Sequence, residues 1–256
     1  MSDNPYADLF RLDGKRAVLL GAGGIGREAA LALAAHGAHV LCVDKDPETA
    51  TSTAEAAGGE ARQLDITDPA AVERLAHDAG TVDILVLTAA MNVRKRILDY
   101  SLEEFDRVVG LNLRATFAVV AAFGRQMVAN GGGSIIVLSS IRGFVVEPGQ
   151  SVYAATKAGV IQIVKTAAVE LGEAGVRVNA VAPGVVETAL TAPITDDEDW
   201  YRAYATKGAL GRWSRPSELA GAVVYLASDA ASFVTGSTLV VDGGWTAVDG
   251  RFTPPA

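Results

Sequence analysis

The sequence predicts a single α/β domain, residues 1–256, with helices wound on both faces of a seven-stranded parallel sheet. Three observations carry that prediction. Short apolar runs alternate with longer segments of helical period along the whole chain. Each apolar run is nearly continuous, which suits strands covered on both faces. A chain of 256 residues, half of them hydrophobic, is long enough for one large core and needs no second domain.

Residues 16–21 (RAVLLG) read as the first strand, and alanine-rich residues 26–36 read as the first helix. The alternation continues through strand 38–43, helix 47–57, strand 61–64, helix 69–79 and strand 82–87. A long helix is expected over 101–130, with Gly110 and Gly124 weakening its propensity. Strand 134–139 follows a triple-glycine turn, and helix 151–172 and strand 177–181 come next. Residues 183–208 have poor periodicity and carry the acidic run Asp196 to Asp199, read as a solvated face. They predict an insertion or a substrate lid, around residues 188–208. Helix 216–228 and strand 238–241 complete a doubly wound Rossmann-like sheet.

The formal net charge of -8 argues against a nucleic-acid surface, which needs a clustered positive field. The polar start of the chain lacks a leader pattern. No later apolar run reaches the roughly 20 residues of a membrane span. A cytoplasmic protein with no membrane partner is expected. Cys42 is the single cysteine, and His36, His39 and His77 form no ligand pattern, so neither a disulfide nor a metal is expected.

The glycine turn Gly21-Ala22-Gly23-Gly24-Ile25-Gly26 lies between the first strand and the first helix. In that context glycines permit a tight turn and close approach to a pyrophosphate. Asp44 ends the second strand, where a carboxylate accepts from ribose hydroxyls and repels a 2′-phosphate. That selects NAD over NADP, with the adjacent Lys45 expected to face solvent. Asp65 ends the third strand, where it either meets an adenine edge or opens the turn before Thr67.

Tyr153 and Lys157 are four residues apart on one helix face. A neighbouring ammonium favours the phenolate, so the hydroxyl exchanges a proton nearer neutral pH than a free tyrosine does. Ser140 ends the fifth strand, and ligands of open α/β sheets bind at the carboxyl ends of strands.

These residues, with Asn112 in LNLRATF, Ser139-Ser140, YAATK at 153–157, NAVAPG at 179–184, Thr188 and VDGG at 241–244, resemble the short-chain dehydrogenase/reductase family from Leu12 to Trp245. The resemblance implies that Ser140 hydrogen-bonds the reacting oxygen and Tyr153 moves its proton. Lys157 would hold the nicotinamide ribose and lower the tyrosine pKa, and Asn112 would position a relay water. Ser140 is chosen over Ser139 because its distance before Tyr153 matches the family, and its strand neighbour should point to the other face. The implied cofactor set comprises Gly21, Gly23, Ile25, Gly26, Asp44, Asp65, Ile66, Ala89, Tyr153, Lys157, Pro183, Gly184, Val186 and Thr188, with NAD as the cofactor. A homotetramer built through helices 101–130 and 151–172 and the C-terminal strand is also implied.

Two segments depart from the family pattern. Leu20 stands where a threonine is usual, and Leu87-Thr88-Ala89-Ala90 replaces an asparagine-asparagine-alanine-glycine segment. Packing is therefore expected to replace the usual polar stitching between these loops. Within the family, NVRKRILDYSLEEF and DGGWTAVDGRF resemble the gluconate 5-dehydrogenase and deoxygluconate dehydrogenase group. Arg94, Lys95, Arg96 and Arg142 are the candidate substrate residues, since a cation cluster attracts a carboxylate; a solvated basic loop is the competing reading. The favoured function is NAD-dependent oxidation of a polyol or sugar acid, or reduction of the ketone. Alternatives are a 3-oxoacyl thioester reductase and a non-catalytic NAD-binding regulator.

Overall fold

A computed structural model describes residue 6 and residues 8–247. Residues 248–252 of the C-terminal motif lie outside the described residues. So do residues 1–5 and 7 of the polar start.

Seven parallel strands form one sheet in the order β3-β2-β1-β4-β5-β6-β7. They are β1 (Arg16–Leu20), β2 (His39–Asp44), β3 (Glu60–Gln63), β4 (Ile84–Leu87), β5 (Gly133–Leu138), β6 (Val176–Pro183) and β7 (Thr238–Val241). Strand order reverses between β1 and β4, which pair in register from Ala17 with Ile84 to Leu20 with Leu87. Chain connections leave in opposite directions there, and the crevice between them is where such sheets bind ligands.

Side chains of one strand alternate between two cores. Val18 and Leu20 pack with Val119, Phe123, Val160 and Val164 on one face. Ala17 and Leu19 pack with Ala29, Leu33, Val223 and Val224 on the other. The first face is covered by α3 (Pro69–Asp78), α5 (Thr116–Ala129) and α6 (Ser151–Leu171). The second is covered by α1 (Ile25–Ala35), α2 (Pro47–Ala57) and α9 (Ala220–Ala227).

Three departures from the sequence reading have local causes. Strand β3 is polar and exposed along its length, because it is a sheet edge; the expectation that every strand is an apolar run fails there. The long helix runs as α4 (Leu102–Val109), a π turn over Gly110–Ala115 and α5, capped at the start by a reciprocal Ser101–Glu104 box. A Cβ on Gly124 would stand 3.0 Å from Leu171, so this glycine lets α5 approach α6 closely. The combined stretch Leu102–Ala129 is long and apolar enough, by length and composition, to cross a membrane, even though charged residues interrupt it. Half of its most apolar window is buried inside the protein, as befits a core helix.

Residues 188–208, where a lid was expected, contain two short helices, α7 (Ala192–Thr195) and α8 (Glu198–Ala205). They have their own small core, in which Ile194, Tyr204, Trp213 and Trp245 are buried together. The acidic run is exposed, and Asp197 caps α8 by accepting from the Trp200 N–H at 3.0 Å.

Candidate active site

Two adjoining cavities open at the carboxyl ends of the strands, and Leu190 lies in the wall of both. The first, of about 400 Å³, is bordered by the glycine turn. Gly21 has φ 97, and a Cβ there would lie 2.6 Å from the Ala89 nitrogen, so only glycine lets the two loops meet. A Cβ on Gly26 would lie 1.8 Å from the Gly21 oxygen. Gly26 therefore serves the packing of α1 against the turn and is absent from the cavity wall, whereas Gly21, Gly23 and Ile25 are in it. No side chain caps α1, which leaves its N-terminal end available to an anion.

The polar stitching between the two loops is present after all, with the donor on the opposite partner. The Thr88 hydroxyl donates to the Gly21 carbonyl at 2.5 Å, so a threonine on the β4 side does what packing was expected to do. Asp44 accepts from the Ala22 N–H at 2.8 Å and the Asp46 N–H at 3.0 Å, which fixes its carboxylate at the cavity wall. Lys45 is exposed, as expected, and also borders the same cavity. Asp65 both lines the cavity and opens the turn, accepting from the Thr67 N–H and hydroxyl at 2.8 Å each. Ile66, Ala89 and Thr188 are also in this wall. Pro183 ends β6 opposite Val241, Gly184 lines the second cavity, and Val186 is buried.

The glycine cradle, the uncapped helix and a carboxylate at the second strand end fit a dinucleotide with its pyrophosphate at α1.

The second cavity, of about 310 Å³, contains Ser140 and Tyr153. Ser139, its neighbour, points away and donates to the Lys157 carbonyl at 2.9 Å, which separates the two serines as the strand alternation requires. Burial pushes the Tyr153 phenol up, opposed by a hydrogen bond with Ser140 and by the Arg142 charge. The expectation that Lys157 lowers this phenol is not met here. The ammonium lies 5.6 Å from the Tyr153 ring centre and donates to the Leu138 carbonyl at 2.9 Å. Burial pushes Lys157 itself down to about 8.

Asn112 is buried in the π turn. Its amide donates to the Met91 carbonyl at 2.8 Å and to the Thr156 hydroxyl at 3.2 Å, and its oxygen accepts from the Met91 N–H at 2.9 Å. These bonds commit the side chain to anchoring the segment after β4. The backbone carbonyl of Asn112 accepts from the Thr116 hydroxyl at 2.8 Å.

Of the four candidate substrate cations, two reach the cavity. Arg94 and Arg142 line it, with their guanidinium carbons 5.0 Å and 5.4 Å from the ring centres of Trp200 and Trp245. Lys95 pairs with Glu104 at 2.5 Å on the exposed side, and Arg96 is exposed outside the wall. Of these three consecutive cations only the first is directed inward.

The residues missed by sequence reading are Asn92, Glu147, Gln150, Trp200, Tyr204 and Trp213, which surround or back this cavity. The spacing of Trp200 and Tyr204, four apart, is the one sequence signal that marks an inward helix face. Burial pushes the Glu147 carboxyl up, but the Tyr204 hydroxyl, Arg94 and Arg142 outweigh it and hold the group below its ordinary value.

A family model described as enoyl-(acyl carrier protein) reductase matches residues 21–246. The chain is 38% identical over 250 residues to galactitol 2-dehydrogenase (L-tagatose-forming) of Cereibacter sphaeroides, covering 94% of this chain and 98% of that one. It is 36% identical over 245 residues to a 3-oxoacyl-(acyl-carrier-protein) reductase of Thermotoga maritima, covering 92% and 99%. A gluconate 5-dehydrogenase from Burkholderia cenocepacia, solved in complex with NADP and tartrate, superposes with TM-score 0.90 at 33% identity, covering 95% of this chain and 99% of that one.

Proposed function

The chain belongs to the short-chain dehydrogenase/reductase family, and from that premise we propose that it oxidises a secondary alcohol of a polyol or sugar acid, or reduces the corresponding ketone, with NAD. The observation that carries this reading is the placement of the Ser140 and Tyr153 hydroxyls in one cavity wall beside the dinucleotide cradle. A nicotinamide cofactor, when bound, supplies or accepts the hydride. Ser140 hydrogen-bonds the reacting oxygen and Tyr153 gives or takes its proton. Lys157, held beneath the tyrosine ring, orients the cofactor ribose.

The substrate class draws support from the polyol and sugar-acid dehydrogenases among the relatives and from the cavity wall, which combines two guanidiniums with the amides of Asn92 and Gln150. NAD over NADP rests on Asp44, whose carboxylate would repel a 2′-phosphate, although the gluconate 5-dehydrogenase above holds NADP and Lys45 borders the same cavity. A 3-oxoacyl thioester reductase is the second reading, favoured by the Thermotoga relative. The exposed acidic run on the lid tells against an acidic carrier. The intact proton-transfer groups tell against a non-catalytic regulator. Assembly as a homotetramer is supported by exposed Leu102, Phe105, Phe117 and Val169 on the helices expected to form it. Following NADH absorbance across polyols, sugar acids and 3-oxoacyl thioesters tests the assignment. Brisk turnover of thioesters alone would replace it with the second reading.

A further inference from the structure

Behind the second cavity one carboxylate joins three segments that are distant in the chain. Glu147 accepts from Arg94 Nη1 at 2.6 Å, from Gln150 Nε2 at 2.8 Å, and from Arg142 and the Tyr204 hydroxyl. Arg94 comes from the loop after β4, Arg142 and Gln150 from the connection of β5 to α6, and Tyr204 from lid helix α8. Arg94 and Arg142 are in the cavity wall, and Glu147 stands behind them. No carboxylate belongs to that wall among the described residues. Two guanidiniums facing one carboxylate leave a single net positive charge, and a desolvated surplus charge is costly until an anion pairs with it. A second anion would meet the repulsion of Glu147. In the same wall the Asn92 Oδ1 is buried without a partner, an acceptor suited to a substrate hydroxyl.

We propose that Glu147 is a positioning residue that sets the charge of the substrate pocket. By cancelling one of two guanidiniums, it selects a polyhydroxylated substrate with one carboxylate over neutral or dianionic analogues of the same length. This deepens the function proposed above and rests on the second cavity being the substrate's. By joining Arg94, Arg142 and Tyr204, Glu147 also ties the lid helix to the wall it closes.

The test uses three six-carbon probes that differ in charge: glucitol (neutral), gluconate (one carboxylate) and glucarate (two). All three tryptophans, Trp200, Trp213 and Trp245, line the cavity or stack on Arg142, so intrinsic fluorescence reports binding directly. Turnover with saturating oxidised cofactor supplies KM and kcat separately. In the wild type, gluconate should bind about 10- to 150-fold tighter than glucitol, the value of one charge-assisted hydrogen bond, and glucarate no tighter than gluconate. Glu147→Gln should shift the glucarate-to-gluconate Kd ratio by about tenfold or more toward glucarate, while Glu147→Asp keeps the wild-type order. An unchanged ratio in Glu147→Gln overturns the proposal, as does a wild type that binds glucitol as tightly as gluconate. If the Gln variant does not fold, the wild-type order decides alone. Absence of turnover of all three, with the expected binding order intact, would count against the proposed polyol or sugar-acid reaction and leave the charge assignment standing.

Discussion

Replacing Asp44 with alanine should weaken NAD binding and destabilise the cofactor-free protein together, because the structure gives this carboxylate two tasks. It accepts from the Ala22 N–H at 2.8 Å and from the Asp46 N–H at 3.0 Å. Asp46 is exposed and regains its bond from water, whereas Ala22 is fully buried and its N–H is stranded. Loss of one hydrogen bond to a charged acceptor costs about 1.5–3 kcal/mol, which for a chain of this size lowers Tm by roughly 3–12 °C. Asparagine keeps an oxygen for the Ala22 N–H but removes the charge, so Asp44→Asn should retain most of that stability. Both variants should narrow the gap between NADH and NADPH affinity, by removing the repulsion of a 2′-phosphate. Thermal unfolding followed by circular dichroism gives the first effect, and fluorescence titration with each reduced cofactor gives the second. A wild type that binds NADPH as tightly as NADH, or an alanine variant with unchanged Tm, refutes this placement of Asp44.

Thr88→Val removes the hydroxyl bonded to the Gly21 carbonyl; it should cost about 0.5–1.5 kcal/mol, or roughly 1–6 °C in Tm, while Thr88→Ser restores it. Equal stability of Val and Ser variants would mean that the loops are joined by packing. Burial lowers Lys157 from 10.5 to about 8, so the unfolded chain holds that proton more tightly and its contribution to stability rises between about pH 8 and 10.5. The rise is on the order of 3 kcal/mol at 1.36 kcal/mol per pKa unit. Lys157→Met should flatten this rise in urea unfolding of the cofactor-free protein, and an unchanged pH dependence contradicts it. Glu218 is held at about 2 by its Arg212 hydrogen bond, so its stabilisation is present above about pH 4.5 and lost as pH falls through about 2. Glu218→Gln should therefore be less stable than wild type near neutrality, with the difference vanishing over that acid window. A difference independent of pH would point to packing at this turn.

The order of elements was legible because continuous apolar runs and helical spacing are local properties that tertiary packing only reinforces. The glycine turn and the Tyr153-Lys157 pair were legible for the same reason, being set by spacing within one loop or one helix. Strand β3 was misjudged as apolar because edge position, which makes a polar strand stable, is a property of the sheet and not of four residues. The Thr88 stitch was missed because the donor had moved to a partner 67 residues away from its acceptor. The Glu147 cluster was invisible for a stronger reason. Arg94 and Tyr204, which meet at 3.2 Å, are separated by 110 residues, and no local pattern marks Glu147 as their shared partner. The three-cation loop attracted attention by composition alone, yet its inward member was decided by how the chain turns after β4.

In the proposed reaction Tyr153 moves the proton of the reacting oxygen. The most direct measurement is the single-turnover rate of Tyr153→Phe, beside its Kd for NADH, on an alcohol the wild type oxidises. Phenylalanine keeps the ring over Lys157 and deletes only the hydroxyl that shares a hydrogen bond with Ser140. The rate should fall by about 10²- to 10⁴-fold, the usual contribution of a general acid or base, while the NADH Kd stays within about twofold of wild type. A variant that keeps more than about a tenth of the wild-type single-turnover rate would contradict the account, since the proton would then be leaving by another group.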